Sequence, residues 1–274
     1  MGARASLLLL LLLAGCRQQK PVTPTAPPSM SKPAVMAPKP ANSPTNAALA
    51  FWKPTPTELR EAPEMPPRVA LTFDAGSDAK AVPILLKTLA EHRVRATFFL
   101  TGKFCEKFPR ECRAIAEAGM ELGNHSYSHP RFTKLSAEEI RRQLERAEAA
   151  IVKACGRGAK PLFRFPYGDR DRRTCALVAK AGYQPIAWTL DSLDSFGKPK
   201  SAAYVADRIT RKVKPGYITL MHVSCVGSAE ALPQIFAYLD KIGAQVVPVS
   251  ELLLSRPLPP PTAQNARRKP LPRG

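Results

Sequence analysis

At 274 residues the chain is long enough for one large domain or two small ones. Lys and Arg number 41 against 22 Asp and Glu, a net charge of +19 that would ordinarily suggest nucleic acid. The basic residues are spread over both ends and the helical stretches instead of lining one aromatic-studded groove, which argues against that partner.

Residues 1–16 read as an export signal. Met1-Gly2-Ala3-Arg4 carries positive charge, and Leu7 to Leu13 is an unbroken apolar run too short to span a bilayer. Leu13-Ala14-Gly15-Cys16 is similar to a bacterial lipobox, in which Cys16 is lipidated and becomes the new N-terminus. An ordinary signal peptide with an incidental cysteine is the bland alternative. Lipidation at Cys16 implies a membrane-anchored protein of the bacterial cell envelope. Export also argues against nucleic acid and favours an anionic envelope polymer or lipid surface as partner, with general solubility as the competing explanation of the charge. Residues 17–66 are rich in Pro, Ala, Ser, Thr and Lys and are expected to form a disordered tether, Phe51-Trp52 excepted.

From Pro67 to Ser255 short apolar strands alternate with amphipathic helices. A strand over 68–73 ends in Asp74 and is followed by a helix over 80–91, with Val82, Leu85, Leu86 and Leu89 at helical spacing. A strand over 94–100 precedes a helix over 109–118 stopped by Gly119, and then a short strand over 120–123. Ser136-Ala137-Glu138-Glu139 is a capping box that opens a long helix to Cys155, ended by Gly156. Strands over 162–165, 184–190, 217–221 and 245–249 alternate with helices over 172–181, 202–212 and 233–242. Residues 256–274 are again basic and Pro-rich, and are expected to be a disordered tail.

Such alternation implies a mainly parallel sheet, here a distorted (β/α) barrel of about seven strands. In barrels of this kind functional residues sit at the C-terminal ends of strands. Asp74, His125, Arg164, Asp191 and His222 each fall at such a place on a different strand. One strand-end acid is usually a solvated turn; five polar residues in register point to a site.

His125 and His129, in Gly123-Asn124-His125-Ser126-Tyr127-Ser128-His129-Pro130, are two of only four histidines. With three residues between them both imidazoles can reach one cation, and neutral imidazole is a preferred zinc ligand. Ser126 replaces the glutamate of a helical HExxH, and Gly123 and Pro130 bracket a loop. A surface coincidence is the bland reading of two loop histidines. His222 ends the apolar run Ile218 to Met221, where an imidazole without a task would be a satisfied core residue. Arg164 interrupts Leu162 to Gly168; a buried guanidinium needs an anion, and Asp74 is the natural one. Asp191 and Asp194 could orient His222. Besides Cys16 there are five cysteines, none in a CxxC pair, so a structural zinc site is not expected. Cys105 and Cys112 are the most plausible disulfide, because the loop between them can close.

Together, Thr72-Phe73-Asp74-Ala75-Gly76, His125-Ser126-Tyr127-Ser128-His129, Arg164-Phe165-Pro166-Tyr167-Gly168, Asp191 to Asp194 and Leu220-Met221-His222 resemble the polysaccharide deacetylases of the NodB-homology class, carbohydrate esterase family four. The resemblance spans residues 67–254 and implies a NodB-like distorted (β/α) barrel. It further implies a divalent metal, zinc by preference with cobalt or another cation as substitute, held by His125 and His129. Asp74 is then the general base and Arg164 its partner. Tyr167 offers a backbone N–H to the oxyanion, Leu220 lines the slot for the acetyl methyl group, and His222, held by Asp194, is the general acid. The expected substrate is an acetylated cell-wall glycan, peptidoglycan, and the enzyme is expected to be a monomer.

The sequence departs from the family pattern twice. A second aspartate, the third metal ligand, is Ala75 here, which leaves Asp78, Asp74 itself or water to complete the coordination. A tryptophan after the fourth block is Ser195, with Phe196 or Trp188 as candidates to cover the acetyl pocket. Two other functions compete: a glycan-binding lipoprotein that has lost catalysis through Ala75, and an O-acetyl esterase of a polysaccharide.

Overall fold

The computed structural model describes residues 53–63 and 66–254. The leader, the lipidation of Cys16, the Phe51-Trp52 pair, residues 17–52 of the tether and the tail over 256–274 lie outside those residues. Among the described residues there are eight strands: β1 (Arg68–Ala75), β2 (Thr97–Leu100), β3 (Glu121–Asn124), β4 (Leu162–Phe163), β5 (Gln184–Pro185), β6 (Leu190–Asp191), β7 (Ile218–His222) and β8 (Gln245–Val246). Eight α-helices lie between and after them: α1 (Val82–Glu91), α2 (Gly102–Lys107), α3 (Pro109–Glu117), α4 (Ala137–Cys155), α5 (Arg172–Lys180), α6 (Ala202–Thr210), α7 (Val226–Lys241) and α8 (Val249–Leu254).

Every strand pairing is parallel, in the order β5-β4-β3-β2-β1-β7-β6, with β8 added to the first residues of β1. Seven strands thus make the curled, incomplete barrel expected from the sequence, open between β5 and β6. The alternating pleat of β1 divides its side chains. Val69, Leu71, Phe73 and Ala75 join the large apolar layer shared with α1, α6 and α7, whereas Thr72 and Asp74 turn the other way towards Arg164.

Helix ends follow their local chemistry. The capping box of α4 forms in both directions between Ser136 and Glu139, and Gly156 ends the helix at φ 75°. Asp171 and Thr174 make a second reciprocal cap on α5. A close approach requires Gly123 on β3, where a Cβ would lie 2.3 Å from the Phe99 ring on β2.

Four expectations are corrected. Residues 53–63, assigned to the tether, belong to the barrel. Leu59 bridges to Ile186 and Glu61 to Tyr217, so the segment crosses the open side of the sheet. Apolar Leu59 and Ala62 pack there against the inner cluster, and Gln184 accepts from Thr55 N–H and donates to the Thr57 carbonyl. The single strand expected over 184–190 is two short ones, because Ile186 to Thr189 turn to pair with the 53–63 segment and with Ile218. Helix α7 starts at Val226, so Pro233 lies inside it instead of opening it, and α2 and α8 are helices that the apolar pattern alone did not reveal. Finally, Cys105 and Cys112 are not bridged. All five described cysteines are free, and the Cys105 and Cys112 thiols lie together with that of Cys155 in the apolar layer.

Candidate active site

The register of the strands assembles the site. Asp74, one residue before the end of β1, is paired directly with His222 at the end of β7. On the other side, β2 and β3 lead to Asn124 and then His125, and β4 runs into Arg164. Asp74, His125, Arg164 and Asp194 are all buried.

Arg164 is fully buried and spends its donors on four acceptors. Nη1 donates to Asp74 Oδ1 at 2.8 Å and to Thr72 Oγ1 at 2.7 Å, Nη2 to the Ala187 carbonyl, and Nε to the Ile186 carbonyl. Its guanidinium also lies over the Phe99 ring, 4.0 Å from the centroid. Burial would raise the Asp74 carboxyl, but Arg164, aided by His125 and His222, outweighs it and holds the pKa below 3.8. Asp74 is therefore ionised in neutral solution.

His125 Nδ1 lies 2.9 Å from the Arg164 backbone carbonyl, an atom that only accepts. The ring hydrogen is therefore on Nδ1, and Nε2 keeps its lone pair when the imidazole is neutral. Burial pushes the His125 pKa down, which favours that neutral form. Nε2 then faces Asp74 Oδ2 at 3.4 Å, so a lone pair of the imidazole and the free oxygen of the carboxylate open onto the same place. The His129 ring packs edge-on to His125, 4.8 Å between centroids, and burial pushes it down to about 4, so it too is neutral.

The loop carrying the two histidines is bent by backbone conformations that non-glycine residues rarely adopt. Ser126 has φ 68° and His129 φ 61°. Asn124 Oδ1 accepts from Ser126 N–H, Ser126 Oγ accepts from His129 N–H, and Gln143 Oε1 on α4 accepts from both Tyr127 and Ser128 N–H. Tyr167, at φ 58° in the turn after β4, lies against His129 with 4.4 Å between ring centroids.

The donor chemistry of the His125 and His129 pair fits a borderline cation such as zinc. A third protein ligand is not supplied beside them. Ala75 is fully buried and offers only a methyl group, and among the described residues no group of three or more His, Cys, Asp or Glu side chains is arranged to hold a metal. Asp78 is not brought to the histidines. It accepts from Lys80 N–H and its carboxylate lies 3.4 Å from Lys80 Nζ.

Across the site, His222 Nδ1 lies 2.7 Å from Asp194 Oδ1. The other Asp194 oxygen accepts from His222 N–H at 2.8 Å and from Ser228 Oγ at 2.5 Å. Burial opposes a charged imidazole here, but the Asp194 hydrogen bond and the Asp74 charge prevail and raise the His222 pKa above 6.5. Leu220 is buried two residues earlier on β7. Phe196 is 76% exposed and Trp188 packs towards Arg164, so Phe196 does not take the place of the family tryptophan.

The sequence reading missed Thr72, Asn124, Ser126, Gln143 and Ser228. Thr72 was accessible from the two-residue period of β1, which puts it on the face of Asp74. Gln143 and Ser228 act from distant helices and carry no local signal.

An ionised base opposite a carboxylate-held imidazole, in front of two neutral histidines, is the equipment of a hydrolase. Residues 61–186 match the family described as polysaccharide deacetylase. A peptidoglycan-N-acetylglucosamine deacetylase of Bacillus cereus is 34% identical over 183 residues, covering 65% of this chain and 66% of the relative. A chitooligosaccharide deacetylase of Sinorhizobium fredii is 35% identical over 159 residues, 58% of this chain and 73% of the relative. Among solved structures, a CE4 family pseudoenzyme from Bacillus anthracis is 31% identical with a TM-score of 0.69, covering 74% of this chain and 71% of that one. A mutant of it is described as having restored enzymatic activity. The chain belongs to the polysaccharide deacetylase family, and its class, polysaccharide N-deacetylase, agrees with the expectation drawn from its motifs.

Removing Arg164 would leave Asp74 as an uncompensated buried charge. Arg164→Met is expected to lower the unfolding free energy by about 3–5 kcal/mol at neutral pH. Urea denaturation of the two proteins measures this, and an unchanged midpoint would contradict the pairing.

Proposed function

We propose that this chain removes N-acetyl groups from an envelope polysaccharide, with peptidoglycan as the substrate. The single observation that carries the reading is the pairing of Asp74 and His222 on adjacent strand ends, one held ionised by Arg164 and the other biased towards its charged form by Asp194. A glycan binder has no need of such a set.

A divalent cation held at His125 and His129 would supply Lewis acidity to the acetyl carbonyl and acidify a water. The protein's own groups do the rest. Asp74 Oδ1 is tied to Arg164, which leaves Oδ2 to accept the proton of the attacking water. His222, charged below its raised pKa, gives a proton to the departing amine, and Asp194 keeps that imidazole oriented. The Tyr167 backbone N–H, aimed by its left-handed conformation, is assigned to the oxyanion, and buried Leu220 to the acetyl methyl group. The products are acetate and a free amino sugar. Lipidation at Cys16 would keep the domain on the cell envelope, beside an anionic glycan that suits the net charge of +19.

Ala75 favours a second reading, a glycan-binding lipoprotein impaired in catalysis, as does the likeness to a protein described as a pseudoenzyme. Acetate release separates the two. The chelator-treated full-length protein, given zinc or cobalt, is expected to release acetate from peptidoglycan or N-acetylglucosamine oligomers. Asp74→Asn and His222→Ala should each lose about 10²–10⁴-fold in turnover with bound metal unchanged. No release from any acetylated glycan, with metal bound, would establish the binding reading.

The pH profile gives an independent check. The folded pKa of His222 lies above the ordinary 6.5, so the acid is charged below it and lost as pH rises through it. Turnover should therefore fall on an alkaline limb above pH 6.5, and Asp194→Asn should move that limb to lower pH. A limb that stays in place in Asp194→Asn would remove His222 from the role.

A further inference from the structure

The loop after β6 is built to bury one side chain and present the next. Leu193 takes φ 57°, a strained conformation for a branched residue. The turn is fixed by Leu193 N–H donating to Asp191 Oδ1, Asp194 N–H to Ser192 Oγ, and Phe196 N–H to the Leu193 carbonyl. Asp194 is thereby 2% exposed while Ser195, its neighbour, is open to solvent.

Ser195 Oγ lies 3.5 Å from His222 Nε2. The other nitrogen of that ring is committed to Asp194, which fixes the hydrogen on Nδ1 and leaves Nε2 as the acceptor in the neutral imidazole. Asp194 is in turn held by Ser228 and by the His222 backbone. A small rotation of an exposed hydroxyl closes the remaining gap, and nucleophile-to-base contacts are commonly long before substrate binds.

We propose that Ser195, His222 and Asp194 form a nucleophilic triad that gives the chain a second activity, metal-independent hydrolysis of O-acetyl esters of saccharides. This route needs neither Asp74 nor the His125 and His129 pair. Above the pKa of His222, where its imidazole is neutral, Ser195 Oγ attacks the ester carbonyl as His222 Nε2 takes the hydroxyl proton. The C–O bond to the sugar breaks, the sugar oxygen takes that proton from His222, and an acetyl-serine remains. Water, deprotonated by His222, then attacks the acetyl carbon and releases acetate, and the proton returns to Ser195 Oγ. Esters suit such a serine better than amides, since a sugar alkoxide leaves more readily than an amine anion.

The test uses the full-length protein dialysed against chelator and mixed rapidly with p-nitrophenyl acetate, with a fluorophosphonate as a second probe. The triad predicts a burst of about one p-nitrophenolate per chain and an acetyl or phosphonyl group mapped to Ser195 by peptide mass. Ser195→Ala should lose both, and His222→Ala should slow labelling about a hundredfold or more. An adduct confined to lysine or His222, a burst that survives in Ser195→Ala, or undiminished labelling in His222→Ala would overturn the proposal. Zinc-dependent acetate release from N-acetylglucosamine oligomers is read in parallel. A burst without that release sinks the N-deacetylase reading alone, and release without a burst sinks the triad alone.

Discussion

The site depends on one buried ion pair, Arg164 with Asp74. Two charges inside a protein cost several kcal/mol each to desolvate, and the cost is met only where every donor finds an acceptor. Arg164 satisfies this with Asp74, Thr72 and the carbonyls of Ile186 and Ala187. The same residue also acts through its backbone, since its carbonyl receives His125 Nδ1–H. One position just after β4 thus keeps the base ionised and sets which nitrogen of His125 faces the cavity. Its side chain reaches β1 and its main chain reaches the loop after β3, so the curl of the sheet and the geometry of the site are the same fact.

The opposite wall is built on similar logic at a strand edge. Asp194 is buried, receives three hydrogen bonds, and orients His222 beside Asp74. Burial works against the charged imidazole, and the Asp194 contact, the Asp74 charge and the more distant Asp191 reverse it. Acid and base therefore support one another electrostatically. This coupling separates the arrangement from a mere carbohydrate-binding surface, which would need shape and hydrogen bonds but no proton inventory.

Much of this was legible in the sequence because it rests on local pattern. The strand–helix alternation announced the parallel barrel, and polar residues that break apolar strands announced Asp74, Arg164 and His222. What stayed hidden rests on contacts between distant segments. Gln143 clamps the histidine loop from α4, and Ser228 binds Asp194 from α7, yet neither stands out among its neighbours. Residues 53–63 looked like tether because Pro and Thr dominate them. Leu59 and Ala62, with Gln184 opposite, were enough to fold that segment across the open side of the barrel. The cysteines misled in the other sense, since the Cys105 and Cys112 thiols do meet, with Cys155 beside them, yet remain free.

Ala75 remains the residue on which the account turns. The acid, the base and both imidazoles are assembled around a place where the family's third metal ligand is a methyl group, and Asp78 is engaged with Lys80. A metal in this site would be held by His125 and His129 without a third dedicated carboxylate. Calorimetric titration of zinc into the chelator-treated full-length protein tests this most directly. The account predicts one site per chain that is lost in His125→Ala, is emptied by chelator, and binds more tightly in Ala75→Asp. Zinc that survives chelation in the unaltered protein would reveal a third protein ligand and contradict it, as would a protein that binds no zinc at all.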